Sequence, residues 1–180
     1  MMKIKPKLFY LLILSLAISF SSCKSKKQAL YSTKNKSEKS SSKIINQYAD
    51  LMDVSPKSIK NKKLYEFIDD WKGTKYEFGG LNKRGIDCSG LVYLVYRDVY
   101  GKQIPRNTSQ QLEIIKRKYE GQLKEGDLVF FNYDNKKFSH VGIYLQNGYY
   151  FHASTSKGVM VAKLKDPFTY KYFSRGGSIM

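Results

Sequence analysis

Apolar positions along this chain recur first at helical spacing and later at strand spacing. From Ile44 to Met52 the run IINQYADLM puts Ile44, Ile45, Tyr48, Leu51 and Met52 on one face, which predicts a short helix. Ser55-Pro56 breaks it, and KLYEFIDDW over 63–71 repeats the spacing with Leu64, Phe67, Ile68 and Trp71. Gly73 and the pair Gly79-Gly80 then mark a loop around Tyr76 and Phe78. In GIDCSGLVYLVY, Asp87 is a good N-cap, and Leu91, Val92, Leu94, Val95 and Val99 form a stripe that stops at Gly101, a natural C′ residue. Cys88 therefore lies in the first turn of a helix. QIPRNTSQQ follows, then a basic segment around Ile114 to Lys118 that also reads as helix. Beyond it DLVFFNY, SHVGIYLQ, GYYFHAS and KGVMVAKL read as successive short strands. Helices first and strands after predict an α+β domain. There is no internal repeat and no Walker-type or Rossmann glycine pattern.

The N-terminus follows a different rule. Lys3, Lys5 and Lys7 precede the apolar run from Leu8 to Phe20, and Ser21-Ser22 stand directly before Cys23, which is a signal-peptide layout. The run is shorter than the roughly 20 apolar residues of a spanning helix. Small residues ending in a cysteine resemble a bacterial lipobox, so 1–22 is expected to be a lipoprotein signal peptide and Cys23 the lipidated new N-terminus; a plain secretory signal is the alternative. Export leaves Cys88 as the single thiol of the mature chain besides the acylated residue, and an unpaired exported cysteine needs a reason.

Charge refines the domain plan. The formal net charge is +17, and the stretch from Lys24 to Lys43 holds seven lysines against Glu38 alone with few apolar residues. Residues 23–43 are expected to be a lipidated, basic, disordered tether, because such a stretch buries too little to offset its ordering entropy. The folded domain is then 44–180, with its core over 64–180. A basic chain suggests nucleic acid as a partner. Export and an arginine-free tether speak against it, and an anionic cell envelope accounts for the charge.

A thiol is a nucleophile only as thiolate, and a helix N-terminus favours that anion. Position alone would equally suit a small buried side chain. What adds weight is that the two histidines, His140 and His152, flank one hairpin turn. A cysteine nucleophile wants an imidazole base, and the imidazole wants a third group to fix its tautomer. A two-residue turn at Asn147-Gly148 would send the histidines to opposite faces. A three-residue loop, 146–148 with Gly148 left-handed, pairs Leu145 with Tyr149, Ile143 with Phe151 and Val141 with Ala153. It leaves His140, Gly142, Tyr144, Tyr150, His152 and Ser154 on the other face, expected to look towards Cys88. Zinc is the rival use of one thiol and two imidazoles, but no carboxylate base stands out near either histidine, and no metal is expected.

DCSG at a helix start, GDLVFF, and SHVGIYLQNGYYFHAS as the histidine hairpin together resemble the NlpC family of bacterial cell-wall cysteine peptidases, from about Leu64 onward. The resemblance implies a papain-like α+β fold, with the cysteine-bearing helix packed on an antiparallel β-sheet. It implies Cys88 as nucleophile, His140 as base and later acid, His152 as orienting group and Tyr76 as a hydroxyl near the nucleophile. It places Asp87 and Ser89 where the family recognises the free amine of a stem peptide, and Arg106 near the substrate groove; Arg175 matches a near-terminal arginine without an assigned role. The implied reaction is amide hydrolysis through a thioester, at a D,L or γ-D-glutamyl-diamino acid bond of a peptidoglycan stem peptide, by a monomer without cofactor. The lipobox resemblance, with Lys24-Ser25-Lys26-Lys27 and no Asp directly after Cys23, leads to an expected location in the cell envelope, lipid-anchored at the outer membrane and facing the periplasm. A papain-like amidase or acyltransferase acting on a non-murein amide or ester is the alternative, and a non-catalytic stem-peptide binder is a third reading.

Overall fold

The computed structural model describes residues 38–133 and 135–180. The expected signal peptide, Cys23 and most of the expected tether lie outside the described residues, although 38–43, expected to be tether, is helical. No described helix is long and apolar enough to cross a membrane.

Within the unit 44–180, helix α1 (44–52) buries Ile45, Tyr48, Ala49 and Met52, whereas Leu51 is 46% exposed, one position off the expected face. After a 3₁₀ turn at Pro56–Ser58, α2 (Lys62–Trp71) is capped by the Asn61 side chain, which accepts from Leu64 N–H at 3.2 Å. It buries Leu64, Tyr65, Ile68 and Trp71. Phe67 stays half-buried and stacks on Trp71. Two short strands, β1 (Leu81–Asn82) and β2 (Gly85–Ile86), form a small hairpin leading into α3 (Cys88–Asp98). Gly101 is left-handed at φ 66°, two residues past the C-cap Val99 and so one place later than the C′ position expected for it.

The main sheet has six strands in the order β3 (Ile115–Lys118), β8 (Phe173–Ile179), β4 (Leu128–Phe131), β5 (His140–Tyr144), β6 (Tyr149–Ser154), β7 (Gly158–Lys163). All of its pairings are antiparallel. A short helix α4 (Thr108–Glu113) precedes β3, and α5 (Pro167–Tyr170) precedes β8. The segment read as basic helix, 114–118, is mostly strand β3. Its helix-forming lysines and arginine are overridden by pairing with β8, where Ile115 faces Ile179 and Lys118 faces Gly176. Lys118 is not a free surface charge either: its ammonium bonds both oxygens of the buried Asp127, at 2.8 and 2.9 Å.

Alternation along the strands gives the sheet two filled faces. Val141, Ile143, Phe151, Ala153, Leu128 and Phe130 pack with Leu91, Val92 and Val95 of α3 and with α1 and α2 in one core. Val129, Phe131, Tyr150, Leu164 and Leu123 form a smaller core on the other face. Losing one of the fully buried aromatic side chains, such as Phe151, would remove about 3–5 kcal/mol. The histidine hairpin has the expected register, Ile143 opposite Phe151 and Leu145 N–H bonded to Tyr149 at 2.8 Å. Its turn is tighter than foreseen, with Asn147 as well as Gly148 left-handed. Asn147 also donates to the Met52 carbonyl at 2.7 Å, so α1 packs at the turn end of the hairpin, away from the histidines, and not across a groove.

Candidate active site

Asp87 begins the site. Its backbone is extended, and its Oδ1 accepts from Gly90 N–H at 2.7 Å, satisfying one of the free donors at the start of α3. The same carboxylate accepts from Gly79 N–H at 2.8 Å and from both terminal nitrogens of Arg106, at 2.8 Å on Oδ1 and 3.1 Å on Oδ2. Arg106 also donates to Ser89 Oγ at 3.0 Å and to the Gly80 carbonyl at 2.8 Å. Asp87 and Ser89 are buried, and the whole cluster is closed by hydrogen bonds within this chain. Gly90 explains the last residue of DCSG: a Cβ there would sit 2.7 Å from Arg106 Nη2 and 2.9 Å from Asp87 Oδ1, so the space kept open is filled by the guanidinium. Gln111, fully buried, ties the cluster down further by donating to the Ser89 and Pro105 carbonyls at 3.0 and 2.8 Å.

Cys88, the first residue of α3, is buried. Backbone N–H groups of Val141 and Ser89 and the Thr108 hydroxyl lie near its sulfur and favour thiolate, but burial and the Asp87 carboxylate outweigh them and hold the thiol above its ordinary pKa. The helix-start argument therefore gives the right local contribution and the wrong net sign, because the capping carboxylate offsets the positive end of the helix and the surroundings exclude water. Tyr76 bridges to Ile86, two residues before Cys88. Its phenol is pushed up to about 12 by burial, Cys88 and Asp87, and so stays a proton donor at neutral pH.

The cysteine meets the histidine hairpin at Val141, the neighbour of His140. Helix α3 packs on the apolar face of the hairpin, not on the polar face as expected. His140 and His152 do share the opposite face, and their rings meet edge-on, with His140 Nε2 2.8 Å from His152 Nδ1. Ladder pairing between β5 and β6 is confined to Ile143–Phe151 and Tyr144–Tyr150, so it stops short of the histidines. Gly142 is what lets the strands carry this pair: a Cβ on it would lie 2.8 Å from the Tyr150 ring, 2.9 Å from the Phe151 carbonyl and 3.2 Å from His152 Cβ.

Burial pulls His140 down to about 4, and His152 lower still through burial and the neighbouring His140. Both rings are thus neutral at neutral pH. For His140 to receive a proton on Nδ1, its Nε2–H must donate to His152 Nδ1, and His152 then carries its hydrogen on Nε2. At rest the thiol and both imidazoles are uncharged, and either ring can be the donor in the bond they share.

Arg175 stands apart, its guanidinium 5.0 Å over the Phe138 ring in the loop before His140. Among the described residues no cluster of three or more His, Cys, Asp or Glu side chains could hold a metal. Thr108 and Gln111 were not singled out from the sequence, although both belong to the IPRNTSQQ motif that carries Arg106.

Residues 73–177 match the model of the NlpC/P60 family. The chain is 37% identical over 120 residues to a probable endopeptidase NlpC homolog of Haemophilus influenzae, a match covering 67% of this chain and 63% of that protein. It is 40% identical over 111 residues to the murein DD-endopeptidase MepS/murein LD-carboxypeptidase of Escherichia coli, covering 62% and 58%. The chain thus spans about three fifths of the length of these relatives. Among solved structures it resembles the NlpC/p60 domain of the peptidoglycan hydrolase SagA, with a TM-score of 0.56 and 29% identity over 67% of this chain and 100% of that domain. It also superposes on an NlpC/P60 family protein from Bacillus cereus, TM-score 0.61 and 24% identity over 67% and 40%, a likeness of fold. With its cysteine helix, its antiparallel sheet and this match over 73–177, the chain belongs to the NlpC/P60 family.

Proposed function

We propose that this protein is a lipid-anchored peptidoglycan endopeptidase that cleaves an amide bond in the stem peptide, a D,L or γ-D-glutamyl-diamino acid bond, through a thioester on Cys88. The observation that carries the reading is the 2.8 Å bond between His140 Nε2 and His152 Nδ1, which leaves His140 Nδ1 for the thiol proton. Because the thiol is held high and His140 low, proton transfer from Cys88 to His140 accompanies attack on the carbonyl and does not precede substrate binding.

The Cys88 sulfur bonds the carbonyl carbon as its proton passes to His140 Nδ1. The oxyanion is met by N–H donors at the start of α3 and by the Tyr76 hydroxyl. His140 then returns the proton to the leaving nitrogen as the C–N bond breaks, and later takes one from water for deacylation. Asp87, Ser89 and Arg106 border the acyl side of the site. Asp87 already accepts from Gly79, Gly90 and twice from Arg106, so a substrate amine reaches it by displacing Arg106, whose side chain is 33% exposed. In this reading the protein acts as a monomer in the cell envelope, held by an acyl group on Cys23 at the outer membrane.

The test is to incubate the protein from Lys43 onward with purified peptidoglycan, beside a Cys88→Ala control, and to identify released fragments by mass spectrometry. Cys88-dependent fragments with masses of cut stem peptides are the expected result. No release by the wild type while a thiol-directed probe still labels Cys88 would sink the cell-wall assignment.

A further inference from the structure

The resemblance assigns Asp87 and Ser89 to the free amine of a stem peptide, yet the bonds around Asp87 leave an ammonium no place. Asp87 Oδ1 accepts from Gly90 N–H and Arg106 Nη1, and Oδ2 accepts from Gly79 N–H and Arg106 Nη2. A carboxylate has about four lone-pair sites, so this one is full. Ser89 Oγ accepts from Arg106 as well, and donates to Asp87 Oδ1 at 3.4 Å.

A free amine would reach Asp87 only by displacing Arg106, and the structure is set against that exchange. Pro105 stiffens the backbone before the arginine, and the fully buried Gln111 holds the Pro105 and Ser89 carbonyls at 2.8 and 3.0 Å. Glycines open the seat: a Cβ at Gly90 would meet Nη2 at 2.7 Å, and Gly79, which donates to Oδ2, is left-handed at φ 75°. An incoming ammonium would have to break the bonds from Arg106 to Asp87, Ser89 and Gly80 and then lie beside the freed guanidinium, like charge against like.

What the cluster still offers is a donor. Nη1 and Nη2 direct their hydrogens to Asp87, Ser89 and the Gly80 carbonyl, which leaves the fifth guanidinium donor, Nε–H, without a partner among the described residues. The partnerless side-chain atoms sealed from solvent among the described residues are Tyr100 Oη and Gln111 Oε1, so this Nε–H is within reach of a substrate. We propose that the acyl side of the site takes stem peptides whose amino terminus is already acylated, with Arg106 standing where a free ammonium would bind and its Nε–H donating to the carbonyl of the blocking group. This rests on the endopeptidase reading above. The substrate is then a stem peptide still joined by that amide to its glycan, and loose peptides with a bare terminus are refused.

The test pairs two synthetic stem peptides carrying the amide identified from the peptidoglycan digest, one N-acetylated and one with a free amino terminus. Wild-type kcat/KM at about pH 6.5, where the amine is charged, should favour the acetylated peptide roughly tenfold, the scale of one hydrogen bond to a charged group. Raising the pH through the α-amino range, about 7.7–8.0, should shrink that ratio, because a neutral amine no longer opposes the guanidinium. Enzyme groups titrate alike for both peptides and cancel from the ratio. Arg106→Ala should abolish the preference or reverse it by freeing Asp87 for the ammonium; if that variant does not fold, the wild-type pH series decides. Equal wild-type rates, a preference for the free amine, a ratio unmoved by pH, or a preference that survives in folded Arg106→Ala would overturn the proposal. If the digest releases nothing, alanyl-γ-D-glutamyl-diaminopimelate in the same two forms is titrated into the Cys88→Ala protein and the Arg106 Nε–H is followed by NMR. A shift with the acetylated form alone leaves the acyl-side assignment standing and removes the endopeptidase reading, whereas no shift, or a shift with both forms, removes the assignment.

Discussion

Around Asp87 the carboxylate is taken up by bonds from within the chain, whereas His140 and His152 share one bond and keep one ring nitrogen each. Both regions are buried, yet they use burial differently. At the helix start, burial is matched by an arginine and backbone donors, whose bonds fix the geometry. At the hairpin, burial is matched only by the partner ring, so charge is suppressed and proton affinity is left adjustable. In the proposed mechanism one side of the site is thus a clamp and the other a proton relay.

The largest effect that tests this division is on turnover. His140→Ala should lower kcat about 10³-fold while the protein remains folded, because it removes the proton acceptor and no structural bond beyond that to His152. Steady-state kinetics alongside circular dichroism check this; an unfolded variant would mean that the histidines hold the sheet. Asp87→Ala should do the reverse in kind. By leaving Arg106 unpaired beside a helix start with an unmet N–H, it should cost about 3–5 kcal/mol in urea denaturation.

Next in size is a pH effect peculiar to the relay. The unfolded chain takes up protons on histidine near pH 6.5, and the folded chain does so on His140 only at about 4. Stability that is fully present above pH 6.5 is therefore lost as pH falls, with about 3 kcal/mol gone through His140 by the time pH reaches about 4. Urea midpoints between pH 7 and pH 4 should show that slope, and His140→Gln should lessen it while leaving the part that His152 contributes through its own burial; an unchanged slope would mean that other groups dominate. Smallest is Gly90→Ala, expected to cost about 1–3 kcal/mol by pushing Arg106 from Asp87. Unchanged stability would show that the guanidinium shifts freely and that the clamp is looser than its bonds imply.

What could be read from the sequence divides along similar lines. The Asp87 cap, the helix behind Cys88 and the register of the histidine hairpin depend on residues close together in the chain, and all three are found in the structure. Strands β3 and β8 were not legible, since IKRK carries helix-forming side chains and FSRGGSI has two glycines where a strand pattern should be, and their pairing joins residues some sixty apart. The thiol's raised pKa and the arrest of Asp87 by Arg106 were hidden for the same reason. Each depends on what surrounds a group in space, which a helix-start argument leaves out.

The place of β8 has a consequence for folding during synthesis. The strand latest in sequence lies between β3 and β4, so a chain delivered N-terminus first has Cys88, His140 and His152 available before its sheet can close. Until β8 inserts, β3 has no neighbour and β4 has an open edge, with Gly176 and Gly177 missing from the register beside them. An emerging or truncated chain that lacks these residues would hold every reactive side chain and no sheet to align them, so the ordering of strands acts as a delay on activity.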